Sequence, residues 1–206
     1  MRAAALLVLA IASETPAFPP ALAASDDAFL RAYRTTTVTR DVRIPRCAAV
    51  DVLDGLADAT IDVNAHVPFP GVDEQGRYYG RTVFAIRQVT LRLPRSVTWP
   101  RMTQADRSRV LTALAALRHH EVGHLRVAAA EVARLNAGAP TVTRDAEAYR
   151  RAEMGRQDAG LATVAAAQRA YDRLTDHGRR QERARGAARG PATELRCQAS
   201  PDEPRL

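Results

Sequence analysis

The chain has 206 residues, 46% of them hydrophobic, and a formal net charge of +7. That is enough length and apolar content for one ordinary domain with its own core, and it excludes a disordered chain. All 30 basic residues are arginine. No run of 18 apolar residues is present, so no transmembrane segment is expected.

The N-terminus reads as a secretory signal. Arg2 supplies a short positive region, Ala3 to Ala12 an apolar stretch too short to span a bilayer, and Ala21-Leu22-Ala23 an A-x-A cleavage site. Residues 1–23 are therefore expected to be removed, leaving a periplasmic or secreted protein. In such a compartment two distant cysteines, Cys47 and Cys197, are expected to form a disulfide.

Asp26 to Tyr33 is a short lead, helical or extended. Thr35 to Thr39 is β-branched and favours a strand. Thr60 to Val67 alternates apolar and polar residues, the period of a half-buried strand, until Pro68, Pro70 and Gly71 stop it. Asp73-Glu74-Gln75-Gly76 is a turn. Arg77 to Leu93 is the longest extended pattern, with room for a turn inside it. Val83, Ala85, Val89, Leu91 and Leu93 are assigned to one face, Phe84 and Ile86 to the other, and Pro94 and Pro100 close the β part.

The remainder is helical. Thr103 is a candidate N-cap with Asp106 three residues on. The segment from about Gln104 to Leu135 is rich in Ala, Leu, Arg and Val, and Asn136 to Pro140 stops it. A second helix is expected from about Arg144 to Thr175, with a weak point between Gly155 and Gly160 and Gly178 as its C-terminal cap. The excess of charge lies near the end, where Arg179, Arg180, Arg183, Arg185 and Arg189 face only Glu182. Without interleaved aromatics to stack bases, this run reads as a solvated tail, and no nucleic-acid partner is expected. The expected organisation is residues 1–23 as signal, 24–181 as one domain, and 182–206 as a flexible basic tail anchored by Cys197.

The first long helix carries His119-His120-Glu121-Val122-Gly123-His124, which contains H-E-x-x-H. At about 100° per residue, His120 and His124 leave one helix face within about 40° of each other. This is the spacing that two ligands of one zinc ion need, with Glu121 offset as a general base. His119 points away and suits a surface or supporting role. The pattern predicts a zinc-dependent hydrolase, a peptidase acting on a peptide or protein substrate. The α+β fold expected around it is zincin-like, an N-terminal antiparallel sheet packed on the C-terminal helices. An extended substrate is expected along the edge of the Val83–Leu93 strand. The alternative is a non-catalytic periplasmic binding or assembly protein with a structural metal or none.

The third ligand stays open at this level. A straight hairpin centred near position 140 sets His124 opposite position 156, favouring Glu153 or Asp158. Glu131, seven residues after His124, is a further candidate.

The chain also resembles a family of predicted secreted bacterial zinc-dependent proteases, the DUF922 family. The resemblance rests on Leu93 to Trp99, on His120 to His124, and on Tyr171-Asp172-Arg173-Leu174-Thr175-Asp176-His177-Gly178 followed by Arg179-Arg180-Gln181. It spans about residues 77–181, with a poor match over 25–70. It implies export, an α+β fold and a zinc site, with His177 as third ligand ahead of the carboxylates and Asp176 in support.

Overall fold

A computed structural model describes residues 25–42, 55–96 and 103–193. The signal-like segment, Cys47, Cys197 and Trp99 lie outside the described residues, and so does the expected disulfide.

Helix α1 (Asp26–Ala32) starts at Ser25, whose hydroxyl accepts from the Ala28 amide. Asp26 and Asp27 sit in its first turn, where carboxylates complement the helix dipole. Its Phe29 and Leu30 enter the main core.

The larger sheet is built from β1 (Thr36–Val42), β5 (Val83–Ser96) and β2 (Asp58–His66), in the order β1-β5-β2. β2 runs antiparallel to β5, but β1 runs parallel to it. The sheet is thus mixed, not antiparallel as expected. β1 and β2 thus flank β5 on opposite sides and run in opposite directions. β2 covers one edge of β5 from Val83 to Arg92, and β1 covers the other from Thr90 to Ser96, so an added strand would have only part of each edge. Among the described strands, the edges belong to β1 and β2.

A β-bulge also corrects the face assignment on β5. Asp62 pairs with Gln88 while Val63 pairs with Ile86, leaving Arg87 as the extra residue. One inserted residue reverses the alternation. Ile86, Val89, Leu91 and Leu93 therefore pack on one core cluster with Phe29, Leu30, Val122, Leu125 and Ala129. Phe84 is buried and Val83 is exposed, the reverse of the expected phase. The strand also continues through Pro94 to Ser96 instead of closing there.

A smaller sheet joins β3 (Gly71–Val72), β4 (Tyr78–Gly80) and β6 (Thr141–Thr143), all antiparallel. The turn before β4 is built by Asp73, whose carboxylate accepts from the Gln75 and Arg77 amides, and Gly76 takes the left-handed φ of +71°.

Helix α2 (Gln104–Asn136) is the spine of the molecule. Thr103 caps it, accepting from the Asp106 amide while donating to the Asp106 carboxylate at 2.8 Å. Helix α3 (Ala146–Thr175) starts at Asp145, which accepts from the Glu147 and Ala148 amides. It runs unbroken through Gly155 and Gly160. Gly160 is where the Phe84 ring passes, at 2.2 Å from the place a Cβ would take, so that glycine serves packing and not a hinge.

α2 and α3 pair antiparallel, but not about position 140. His124 meets Gln168, which places the centre near 146. The connection between Asn136 and Ala146 is centred near 141, so the two helices are offset along their axes and the first turns of α3 run past the end of α2. After α3, residues expected in a flexible tail instead pack down. Ala184 and Ala188, within the expected tail, close over Tyr171, and Gln181, the last residue of the expected domain, is fully buried.

Candidate metal centre

His120 and His124 leave α2 toward α3, one turn apart, with ring centroids 4.9 Å from each other. Two chains of hydrogen bonds fix their tautomers. Gln168 donates from Nε2 to the His124 carbonyl, so its Oε1 accepts, at 2.6 Å, from His124 Nδ1–H. Tyr171 donates to the His120 carbonyl, and Gln181 Nε2 donates to the Tyr171 oxygen and the Ala188 carbonyl. Gln181 Oε1 is left to accept, at 3.0 Å, from His120 Nδ1–H. Carbonyls cannot donate, so each chain has only one consistent direction. Both imidazoles therefore carry a proton on Nδ1, and each turns its Nε2 to the site, where His124 Nε2 is within bonding distance of Asp172.

Those two Nε2 atoms face one carboxylate oxygen. Asp172 Oδ1 lies 3.0 Å from His124 Nε2 and 3.5 Å from His120 Nε2. Among the described residues, His120, His124 and Asp172 form a group whose donor atoms lie within 4.8 Å of one another. Two imidazole nitrogens and one carboxylate oxygen, with both Nδ1–H groups tied back, fit the donor set of a zinc site that keeps a position open.

The electrostatics follow from burial. Desolvation pushes His120 down to about 4, helped by the neighbouring His124. Burial also disfavours a charged His124, but the bond to Asp172 outweighs it and raises its pKa. Burial would raise Asp172, yet His124 holds its carboxyl below the ordinary value. Glu121 is 5% exposed and its pKa rises to about 7, chiefly through desolvation, while the Ala59 amide donates to it.

The site opens onto a pocket of about 720 Å³. One wall is β2, from Asp58 to Val63. The others are α2 at Leu117, His120, Glu121 and His124, and α3 from Leu161 to Asp172. His177 stands at its rim.

The expected residues are thus sorted by geometry. His120, Glu121 and His124 come together. The third donor gathered is Asp172, not His177. Asp176, His177 and Gly178 take φ values of 49°, 50° and 89°, a left-handed run that ends α3 and leaves the His177 side chain 67% exposed. Its Nδ1 is 3.8 Å from Asp172 Oδ1. Glu153 is committed elsewhere: fully buried, it accepts from the Thr82 amide and hydroxyl and from the Thr141 hydroxyl. Asp158 is not on the pocket wall, and Glu131 is paired with Arg134 at 2.7 Å. His119 bonds Asp26 and the Arg189 carbonyl and takes no part in the cluster. Asp172, Gln168 and Gln181 were not recognised as site residues from sequence. The available signal was the Tyr171-Asp172 pair and Gln181, which the resemblance already contained.

Gly178 belongs to the same construction. A Cβ there would lie 2.7 Å from Thr193 Cγ2 and 3.1 Å from His120 Cγ, so the chain passes directly against the His120 imidazole.

Comparison with known proteins places this architecture. No curated protein and no solved structure matches the chain. A family described as a bacterial protein of unknown function (DUF922) matches residues 55–178. The match begins upstream of residue 77, where the resemblance had been expected to start. It takes in β2 and every residue on the pocket wall, from Gly55 to His177. Covering more than half of the 206 residues, the match shows that the chain belongs to the DUF922 family.

Proposed function

We propose that the chain is an exported zinc-dependent hydrolase, a peptidase acting on peptide or protein substrates. The observation that carries this reading is the pair of imidazoles, His120 and His124, each held through Nδ1 with its Nε2 facing the Asp172 carboxylate, on a pocket wall that also holds Glu121. Export is supported by the signal-like N-terminal sequence. The fold is proposed to be zincin-like because the H-E-x-x-H helix lies beneath a sheet whose edge strand, β2, borders the pocket.

His120, His124 and Asp172 would hold the zinc ion. Bound there, zinc supplies Lewis acidity, polarising a carbonyl and making water acidic enough to react near neutral pH. Glu121 is the general base. Its burial brings it to about 7, where a carboxylate can both take the proton of the attacking water and return it to the leaving amine. Gln168 and Gln181 keep the two imidazoles oriented. The β2 wall and the α3 residues Leu161 to Arg169 offer room for a chain on either side of the reacting carbonyl.

The non-catalytic alternative, with a structural metal or none, would in its metal-bound form need a closed site, since structural zinc sites have four protein ligands. Three donors on an open pocket favour catalysis. The test is metal analysis of the purified mature protein beside a Glu121→Gln variant, assayed on a mixed peptide library. The expected result is about one zinc per chain in both proteins, with hydrolysis lost by several orders of magnitude in the variant. A metal-free parent, or a fully active Glu121→Gln, refutes the mechanism. A zinc-loaded parent that cleaves nothing turns the assignment to the binding protein.

A further inference from the structure

A second hollow, of about 420 Å³, lies where α1, β1 and α2 meet. It shares no lining residue with the metal centre's pocket. Its wall carries three guanidinium groups, Arg31, Arg34 and Arg118, against the single carboxylate of Asp27. Arg118 is bonded to Asp27. Arg34 has no carboxylate partner among the described residues. The hollow therefore has an excess of two positive charges.

Two features set it apart from an ordinary basic surface. The first is where Arg34 stands. Helix α1 ends in a Schellman turn, with the Arg34 amide donating to the Arg31 carbonyl and the Thr35 amide to the Leu30 carbonyl. The residue at the bend takes φ of +49°, a conformation in which glycine is the default. Here it is arginine, whose side chain joins the hollow. The second is Thr35. Its hydroxyl is buried with no hydrogen-bond partner, although the residue lines the hollow. Thr37 lies two residues on along an extended chain, so both threonines face one way. An unpartnered hydroxyl thus lies beside two arginines, Arg31 and Arg34, that have no carboxylate partner among the described residues.

We infer that this hollow binds a phosphate group, with Arg31, Arg34 and Arg118 around its oxygens and the threonine hydroxyls donating from the β1 side. A phosphate group, with one negative charge as a diester and up to about two as a monoester near neutral pH, is balanced by the excess of the wall, and planar guanidinium groups suit its paired oxygens. The group can belong to a soluble phosphate or to a lipid headgroup.

The test is calorimetric titration of the mature protein with inorganic phosphate at low ionic strength. Co-sedimentation with phosphatidylglycerol and phosphatidylcholine vesicles runs beside it. Arg34→Gly is the decisive variant, because glycine adopts the left-handed bend freely and keeps the fold. It should bind phosphate at least tenfold more weakly while melting no lower than the parent. Thr35→Val should weaken binding several-fold without loss of stability. Arg183→Ala, an exposed arginine away from the hollow, should leave binding unchanged. Selective sedimentation with phosphatidylglycerol that Arg34→Gly abolishes identifies a headgroup. Phosphate binding without sedimentation identifies a soluble ligand. No phosphate binding by the parent, equal binding by parent and Arg34→Gly, or an equal loss in Arg183→Ala overturns the proposal.

Discussion

Gly123 and Tyr171 touch across the two long helices so closely that a Cβ on Gly123 would lie 1.9 Å from the tyrosine oxygen. The glycine within H-E-V-G-H is thus required by the partner helix. Its absence of a side chain lets Tyr171 reach the His120 carbonyl and receive Gln181.

Gly123→Ala should destabilise the protein, although alanine in a helix interior is ordinarily favoured over glycine by about 1 kcal/mol. Overpacking of a closed core costs typically 1–3 kcal/mol, and here it also displaces the tyrosine that orients Gln181. A lower melting temperature for Gly123→Ala, partly restored by Tyr171→Phe in the double variant, is the expected outcome. An unchanged melting temperature for the single variant refutes the contact.

Gln181 should control zinc affinity without touching the ion. It is fully buried, and its Oε1 holds the Nδ1–H of His120. Gln181→Leu removes the acceptor and frees the ring to rotate. Loss of such a supporting bond typically weakens metal binding 10–100-fold. Gln181→Glu keeps an acceptor and should bind more tightly than Gln181→Leu. Competition with a chromogenic chelator measures both, and equal affinities for the two variants would show that the bond does not orient the imidazole.

What could be read from the sequence follows from the range of each signal. Helix α2 was legible to within a residue because its cap, Thr103 with Asp106, and its terminator both lie beside it in the chain. So was the H-E-x-x-H pair, whose geometry is internal to one helix. The phase of β5 was not, because a bulge at Arg87 inserts one residue and leaves no mark in a period of two. The third donor failed for the same kind of reason. Which residue of α3 faces His124 depends on how far the two helices are offset along their axes, which tertiary packing sets: the connection is centred near 141, but the pairing is centred near 146. The packed segment after α3 was missed because Arg183, Arg185 and Arg189 dominate its composition, while Gln181, Ala184 and Ala188 do the packing.

A pH signature should come from Asp26. It accepts from Arg126 at 2.6 Å and lies 3.0 Å from His119 Nδ1, joining α1 to α2. His119 Nε2 meets the Arg189 carbonyl, so both ring nitrogens donate and the imidazolium is favoured. Burial would raise Asp26, but its bonds to His119 and Arg126 hold it below 3.8. The bond to Asp26 raises His119 above 6.5 despite burial. The depressed carboxylate contributes stability above its unfolded value and loses it as pH falls through the folded one. The raised histidine contributes fully below its unfolded value and loses it as pH climbs through the folded one. Asp26→Asn should therefore cost most between pH 3.8 and 6.5, by about 2 kcal/mol for charge-assisted bonds, and less on either side. Melting curves of parent and variant across that range measure it, and a difference independent of pH removes the network from the explanation.

The third zinc ligand separates local motif from tertiary pairing. Thr175-Asp176-His177-Gly178 points to His177, and a hairpin about position 140 points to Glu153 or Asp158. The folded chain instead presents Asp172, four residues beyond Gln168 on the helix face that meets His124. Asp172 Oδ1 is within 3.5 Å of Nε2 of both His120 and His124, whereas His177 is turned outward by a left-handed run and stands 3.8 Å from that same oxygen. Asp172→Ala should therefore lose zinc affinity by more than the 10–100-fold typical of a supporting residue. His177→Ala should lose less than tenfold. Glu153→Ala should leave affinity near the parent's while lowering the melting temperature, because Thr82 and Thr141 lose their buried acceptor. Metal competition and melting curves on the three proteins resolve the question. If His177→Ala loses zinc and Asp172→Ala retains it, the ion is held at the rim by the left-handed turn, and the carboxylate only braces the histidines.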